Sequence, residues 1–323
     1  MIRTDPTTPR ASQQPAEQAV ELRHLAWLLM LGLMWGSAYL FVKVLVDVAS
    51  PSAMIAVRFA LGVGTLGVVL LARGGRLPRF GIMWLHLLVM AVISNAVPFM
   101  LIAWSQQYAT SAIAAVLNAT TPFFTLLFAV IVFSIDRFTR ERVIGIALGF
   151  AGVALLTGNS LVNVRDDASL GELALLGSSA CYGFGYAYAR RFVRGEPLQN
   201  VTFQLLLGFL ITAPLALYGG WVRPANLTIL NAAAWIILGV AGTGLSYILF
   251  YRLIGGIGAT RTSLVTYITP VVGVVLGWLV LGEYLGVSGL AGMLLIVGGI
   301  AISYGWARRL RRGRQAPRVV AGS

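Results

Sequence analysis

Charge is what this chain has least of. Asp, Glu, Lys and Arg make up 11% of its 323 residues, where a soluble globular chain carries about 25%. With 58% hydrophobic residues, no water-soluble core hides the apolar runs. Cysteine is nearly absent: Cys181 stands alone, which excludes an intrachain disulfide and a Cys-based metal cluster. The only histidines, His24 and His86, are far apart in the sequence. No metal or other cofactor is therefore expected. Lysine is reduced to Lys43. No P-loop is present, which argues against an ATP-driven pump. The polar stretch 1–24 has neither the charged start nor the small-residue cleavage site of a signal peptide. It is expected to be a disordered cytoplasmic tail.

What is present is a series of apolar runs separated by arginine. The net charge of +13 sits in short clusters beside those runs, the pattern of topology signals rather than of a nucleic-acid surface. About 20 residues cross a hydrocarbon core. The runs predict ten helices at Leu25–Leu45, Pro51–Ala72, Ile82–Trp104, Ala109–Phe133, Arg142–Thr157, Leu173–Ala189, Val201–Tyr218, Ala232–Ile254, Arg261–Leu281 and Val287–Gly305. With the N-terminus inside, the Arg clusters around Arg76, Arg140 and Arg191, and the basic tail 306–323, all fall on one side. The other side holds only Arg165 and Arg223. This asymmetry predicts two cytoplasmic termini in a multi-pass protein of a bacterial inner membrane.

The two halves repeat. At an offset of about 147 residues, Trp35-Gly36 falls on Tyr182-Gly183, Tyr39 on Tyr186 and Lys43 on Arg190. Pro51 corresponds to Pro197, Thr121-Pro122 to Thr269-Pro270, and Asp136 to Glu283. Gly145 and Gly152 correspond to Gly292 and Gly299. Five spans per half make the second half enter the membrane inverted, as in many secondary transporters. The expected fold is thus all-α, with ten transmembrane helices as two inverted five-helix repeats at 25–158 and 172–305.

In these residues the chain resembles the EamA family of the drug/metabolite transporter superfamily. The resemblance spans about Leu25 to Arg308. It rests on Trp35-Gly36-Ser37 with Lys43, on Arg58-Phe59, and on the Thr-Pro helices followed by acidic turns. The second turn reads Leu281-Gly282-Glu283; the first, Ser134-Ile135-Asp136, departs from Leu-Gly-Glu. The resemblance implies an exporter or permease for amino acids, related metabolites or amphiphilic small molecules. It also implies a central cavity lined by the first four helices of each half.

Arg58 lies within the second span, where charge is costly and faces a cavity or a partner. Its counterpart is Gln204. Trp35, Tyr39, Tyr182 and Tyr186 are further cavity candidates, with Asn95 and Trp104 on the third helix. Asn118 on the fourth, Ser246, Tyr247 and Tyr251 on the eighth and Tyr267 on the ninth complete the set. Interface anchoring is the competing reading for Trp104. Pro122 and Pro270 each free a carbonyl one turn earlier, which needs a partner from Thr, water or ligand; a gating kink and a static bend both fit. Asp136 and Glu283 mark turns on opposite faces, as gate or cap. Lys43 fits a snorkelling side chain, a substrate-carboxylate contact or a pair with Glu283. Gly62, Gly64 and Gly67 spell G-x-G-x-x-G but lack the preceding strand and following acid of a dinucleotide site.

The reading is a secondary transporter working by alternating access, with the lipid bilayer and a small-molecule substrate as partners and no enzymatic activity. The rivals are a non-transporting receptor or scaffold and an intramembrane enzyme, which needs a catalytic dyad or metal site at membrane depth. Substrate, coupling ion and oligomeric state are open.

Overall fold

The computed structural model describes residues 14–76, 78–158, 167–224 and 227–303. Arg165, residues 1–13 of the N-terminal tail and the basic tail 306–323 lie outside the described residues. The described chain is helical throughout: α1 (Gln14–Leu45), α2 (Pro51–Ala72), α3 (Ile82–Ser105), α4 (Ser111–Ile131), α5 (Arg140–Thr157), α6 (Asp167–Phe192), α7 (Pro197–Gly219), α8 (Ile229–Ile257), α9 (Val265–Leu281) and α10 (Val287–Ser303). A short turn, Ala259–Thr262, precedes α9. Six helices, α1 to α4 with α7 and α8, are long and apolar enough to cross a membrane; α9 and α10 are shorter apolar helices.

Helix starts follow local chemistry. Ser50 Oγ accepts from Ala53 N at 3.3 Å with Pro51 in the first turn, where the missing N–H of proline costs nothing. Thr110, Thr139 and Thr228 cap α4, α5 and α8 in the same way. The Glu196 carboxylate caps α7 through Leu198 N and Gln199 N. Two helices begin earlier than expected. α1 extends back to Gln14, so residues 14–24 are helical rather than part of a disordered tail; Ala, Glu, Gln and Leu there are good helix formers. α6 starts at Asp167 instead of Leu173 and ends at Phe192, because the polar first turns of a helix add no hydropathy.

The helices pack in pairs. α5 lies along α10, α2 along α7, α1 along α9 and α4 along α6, while α2 also meets the middle of α8 and α3 meets α7. The α5–α10 contact is made by glycines. A Cβ on Gly145 would fall on the Gly299 carbonyl, and one on Gly152 would lie 2.6 Å from the Gly292 carbonyl. Rising numbers on α5 meet falling numbers on α10, so the two run antiparallel. Gly62 beside Leu205 and Gly208 beside Phe59 show the same for α2 and α7. Small residues let backbones approach where lipid supplies no hydrophobic force. Gly64 and Gly67 face open space.

Candidate functional site: a polar network around Arg58

α3 and α8 each contain a stretch of π-helix, at Val92–Ala96 and Ile237–Leu245. In α3 the cause is Pro98, which has no N–H to give. In α8 three glycines, Gly239, Gly242 and Gly244, weaken regular helix. Wide turns free carbonyls that need partners inside a membrane. Asn95 Nδ2 donates to Met90 O at 3.2 Å, and Thr243 Oγ1 donates to Leu238 O at 3.0 Å. Both bonds reach back five residues, so Asn95 and Thr243 hold the same place in the two helices.

Each of these residues then joins a polar side chain of a neighbouring helix. Arg58 Nε on α2 donates to Thr243 Oγ1 at 2.8 Å. Asn95 Nδ2 approaches Gln204 Oε1 on α7 at 3.5 Å. Arg58 and Gln204, matched in sequence, thus meet the matched Thr243 and Asn95. Tyr247 O–H donates to Asn95 Oδ1 at 3.3 Å. The Arg58 guanidinium carbon lies 3.8 Å from the centre of the Phe99 ring, a cation–π contact. Tyr39, Tyr182 and Tyr247 are within electrostatic reach of it. Arg58 is 7% exposed, and among the described residues no carboxylate pairs with it. A cation at the middle of a membrane helix costs about 2.5–3.5 kcal/mol even on insertion-based scales.

A second branch centres on Asn118, whose Nδ2 donates to the Tyr39 hydroxyl. Ser178 and Ser179 on α6 donate to its Oδ1 at 3.3 and 3.1 Å. Here α4 breaks: Ser111–Asn118 and Thr121–Ile131 are separate helical pieces, and Pro122 lies in the first turn of the second. The carbonyl freed by Pro122 is that of Asn118, and Thr121 Oγ1 donates to it at 2.8 Å. Threonine is therefore the partner that the sequence left open. Pro270 lies inside α9 without a break.

The two halves of α4 diverge in their packing. Ser111–Asn118 packs against α9 as well as α6, whereas Thr121–Ile131 packs chiefly against α6. At the first end Glu283 accepts from Ser111 N at 2.9 Å, Ser111 Oγ at 2.7 Å and Ala112 N at 3.0 Å, a strong cap for a helix start. Lys43 Nζ donates to the carbonyls of Gln106 and Ala109 at 2.7 and 3.0 Å. Lys43 and Glu283 are thus not paired with each other; they hold opposite ends of the turn between α3 and α4. An antiparallel bridge between Ala49 and Val222 ties two loops together.

Asp136 behaves differently. It forms an ion pair with Arg142 and lies 3.7 Å from Arg190. Partial burial pushes its carboxyl up, but the hydrogen bonds of Arg142 and of the Arg137 backbone, with the charges of Arg142 and Arg190, hold it below the ordinary carboxylate value. The difference from Glu283 begins in the backbone. α9 ends with Gly282 at φ +65° and a bond from Glu283 N to Gly277 O. α4 ends with Ser134 at φ +52° and a bond from Ile135 N to Ala129 O. These are the same six-residue closures, so Ile135 holds the place of Glu283 and Asp136 stands one residue further on.

Among the other expected cavity residues, Tyr251 stacks on Tyr247, and Tyr186 stacks on Tyr182 but is 47% exposed. Trp35 packs on Phe250 in a separate apolar cluster with Leu31 and Leu253. Trp104 meets Tyr108 at the end of α3. Ser246 turns back onto the carbonyls of Gly242 and Thr243, and Tyr267 is half-buried on α9. Phe99, Ser178 and Ser179 were missed by the sequence reading. Phe99 follows Asn95 by four residues and so shares its face; the serine pair interrupts an apolar run. Glu172 was also missed, buried in the early turns of α6 with one carboxylate oxygen lacking a partner among the described residues.

Apolar helices arranged around a buried polar network define a polytopic membrane protein. The pattern of the EamA-like transporter family matches residues 22–158 and again 169–305, and the chain belongs to that family. The uncharacterized transporter YyaM of Bacillus subtilis is 25% identical over 301 residues, covering 89% of this chain and 96% of that one. The uncharacterized inner membrane transporter YedA of Escherichia coli is 29% identical over 262 residues, covering 80% and 83%. A crystal structure sharing 19% identity superposes with a TM-score of 0.65 over 89% of this chain and 98% of its own, a likeness of fold alone.

Proposed function

We propose that this protein is a secondary transporter that exports amino acids, related metabolites or amphiphilic small molecules by alternating access. In this reading ten helices cross the bacterial inner membrane, with both termini in the cytoplasm. The observation that carries it is the matched pair of contacts, Arg58 with Thr243 and Asn95 with Gln204. Each joins the two halves, and each is the counterpart of the other.

Inverted repeats are supported by the antiparallel run of α5 against α10 and of α2 against α7, since each pair joins repeat counterparts. Exchanging the halves also turns the α1–α9 pairing into the α6–α4 pairing, and the α2–α8 pairing into the α7–α3 pairing; all four occur. Such a chain has two related packings, one closed at each end. The Glu283 cap and the convergence of α4 with α9 support closure at the Glu283 end. The Asp136 end, with its acid engaged by arginines of its own side, is then the open one.

Flux through proteoliposomes tests the reading, with radiolabelled amino acids and aromatic amphiphiles offered with and without a pH gradient. Saturable uptake that exceeds empty vesicles supports it. Uptake equal to empty vesicles for every compound leaves the receptor or scaffold reading in its place.

A further inference from the structure

Among the described residues Arg58 is the only Arg or Lys held within the polar network, and its charge balance is incomplete. Its Nε is committed to Thr243. Neither Nη nitrogen has a hydrogen-bond partner among the described residues, although the residue is only 7% exposed. The groups that reach it are neutral: Thr243, Tyr39, Tyr182, Tyr247 and the Phe99 ring, with Asn95 and Gln204 joined on through Tyr247. The buried or engaged acids lie elsewhere: Asp136 with its arginines, Glu283 on the α4 start, and Glu172 in the early turns of α6. A buried guanidinium without a carboxylate is an expensive arrangement, and its two outer nitrogens form a planar fork suited to a carboxylate.

We propose that the missing counter-charge is supplied by the cargo: the site takes an organic monoanion, with its carboxylate on the Nη fork of Arg58 and an aromatic or apolar body against Tyr39, Tyr182 and Tyr247. This rests on the transporter reading and narrows it to one charge class. The approach is consistent in sign. Arg252 and Arg261, both exposed at the junction of α8 and α9, stand at the end where α4 and α9 diverge, and positive charge at a mouth concentrates anions. An organic cation meets the opposite conditions, with Arg58 repelling it and no carboxylate to receive it.

Binding to purified protein tests the assignment without requiring flux. Phenylpropionate, phenylpropionamide and phenylpropylammonium share a body and differ in charge. Isothermal titration and thermal-shift assays in nanodiscs measure each one on the wild type. Phenylpropionate should bind more tightly than the amide by on the order of 10- to 100-fold, the value of a hydrogen bond to a charged group, and the ammonium should be the weakest. Arg58→Gln should erase the preference for the carboxylate over the amide, and Arg58→Lys should retain part of it. If Arg58→Gln does not fold, the wild-type order still decides. Equal binding of all three, tighter binding of the amide or the ammonium, or binding of none overturns the assignment. A protein that binds the carboxylate but moves nothing through proteoliposomes keeps this site and loses the transporter reading.

Discussion

The Nε of Arg58 on α2 donates to Thr243 Oγ1 on α8 over 2.8 Å, while the same hydroxyl gives its own proton to the Leu238 carbonyl. One threonine thereby holds a buried cation and closes a π-turn. Removing either residue should have different consequences. Arg58→Leu relieves the membrane of a charge, so the variant should express and insert normally but lose transport. Thr243→Val keeps volume and charge but leaves a charged donor unpaired; it should lower stability by about 1.5–3 kcal/mol, read as a drop in unfolding temperature in detergent. Wild-type flux by Arg58→Leu would remove Arg58 from the transport site.

The glycines divide by what surrounds them. A Cβ on Gly152 or Gly292 meets the opposing backbone carbonyl at 2.6 Å. Gly152→Ala and Gly292→Ala should each therefore cost about 1–3 kcal/mol. Gly64 and Gly67 meet nothing, so alanine there should be neutral, or stabilising by up to about 1 kcal/mol from helix propensity. Thermal unfolding of the four variants checks the order. Destabilisation by Gly64→Ala and Gly67→Ala as large as that at the α5–α10 contact would contradict it.

Topology follows from the arginine clusters. Reporter fusions after Arg79, Arg142 and Arg318 should report cytoplasm, and a fusion after Asp167 should report the outside. An outside signal after Arg318 would overturn the even number of spans.

Asp136 gives a prediction in pH. Its carboxyl is held below the ordinary value, so the ion pair with Arg142 contributes above the unfolded Asp pKa of about 3.9. That contribution is lost as pH falls through the lower, folded value. The stability difference between wild type and Asp136→Asn should be constant from about pH 8 to 5 and shrink only below about pH 4. A difference that changes between pH 8 and 6 would mean that Asp136 titrates in the physiological range.

Much of this arrangement was legible in the residues. Period and hydropathy located the apolar helices, and the offset between halves matched Arg58 with Gln204 before their contacts were visible. Cross-helix pairing was not legible, because hydropathy says nothing about which faces meet. The π-turns escaped for a related reason: in α8 they come from glycines whose effect depends on the helices packed against them. The Asp136–Glu283 correspondence failed by one residue because backbone closure, not the acid, sets the frame; without Gly282's counterpart the left-handed position falls on Ser134. Lys43 was placed correctly at a helix end, but its partners are carbonyls, which carry no sequence signal.

The central claim is that the two ends open in turn, and thiol accessibility reads it directly. Single cysteines at Thr139 and Gly286, in a Cys181→Ala background, report the Asp136 and Glu283 ends. Glu283→Ala removes the three bonds that hold the α4 start, and a lost bond shifts two conformations only if it belongs to one of them. With that substitution, labelling by a polar thiol reagent should rise at Gly286 and fall at Thr139. A rise at both sites would indicate a channel, and a rise at Gly286 with Thr139 unchanged would mean local loosening; either result contradicts alternating access.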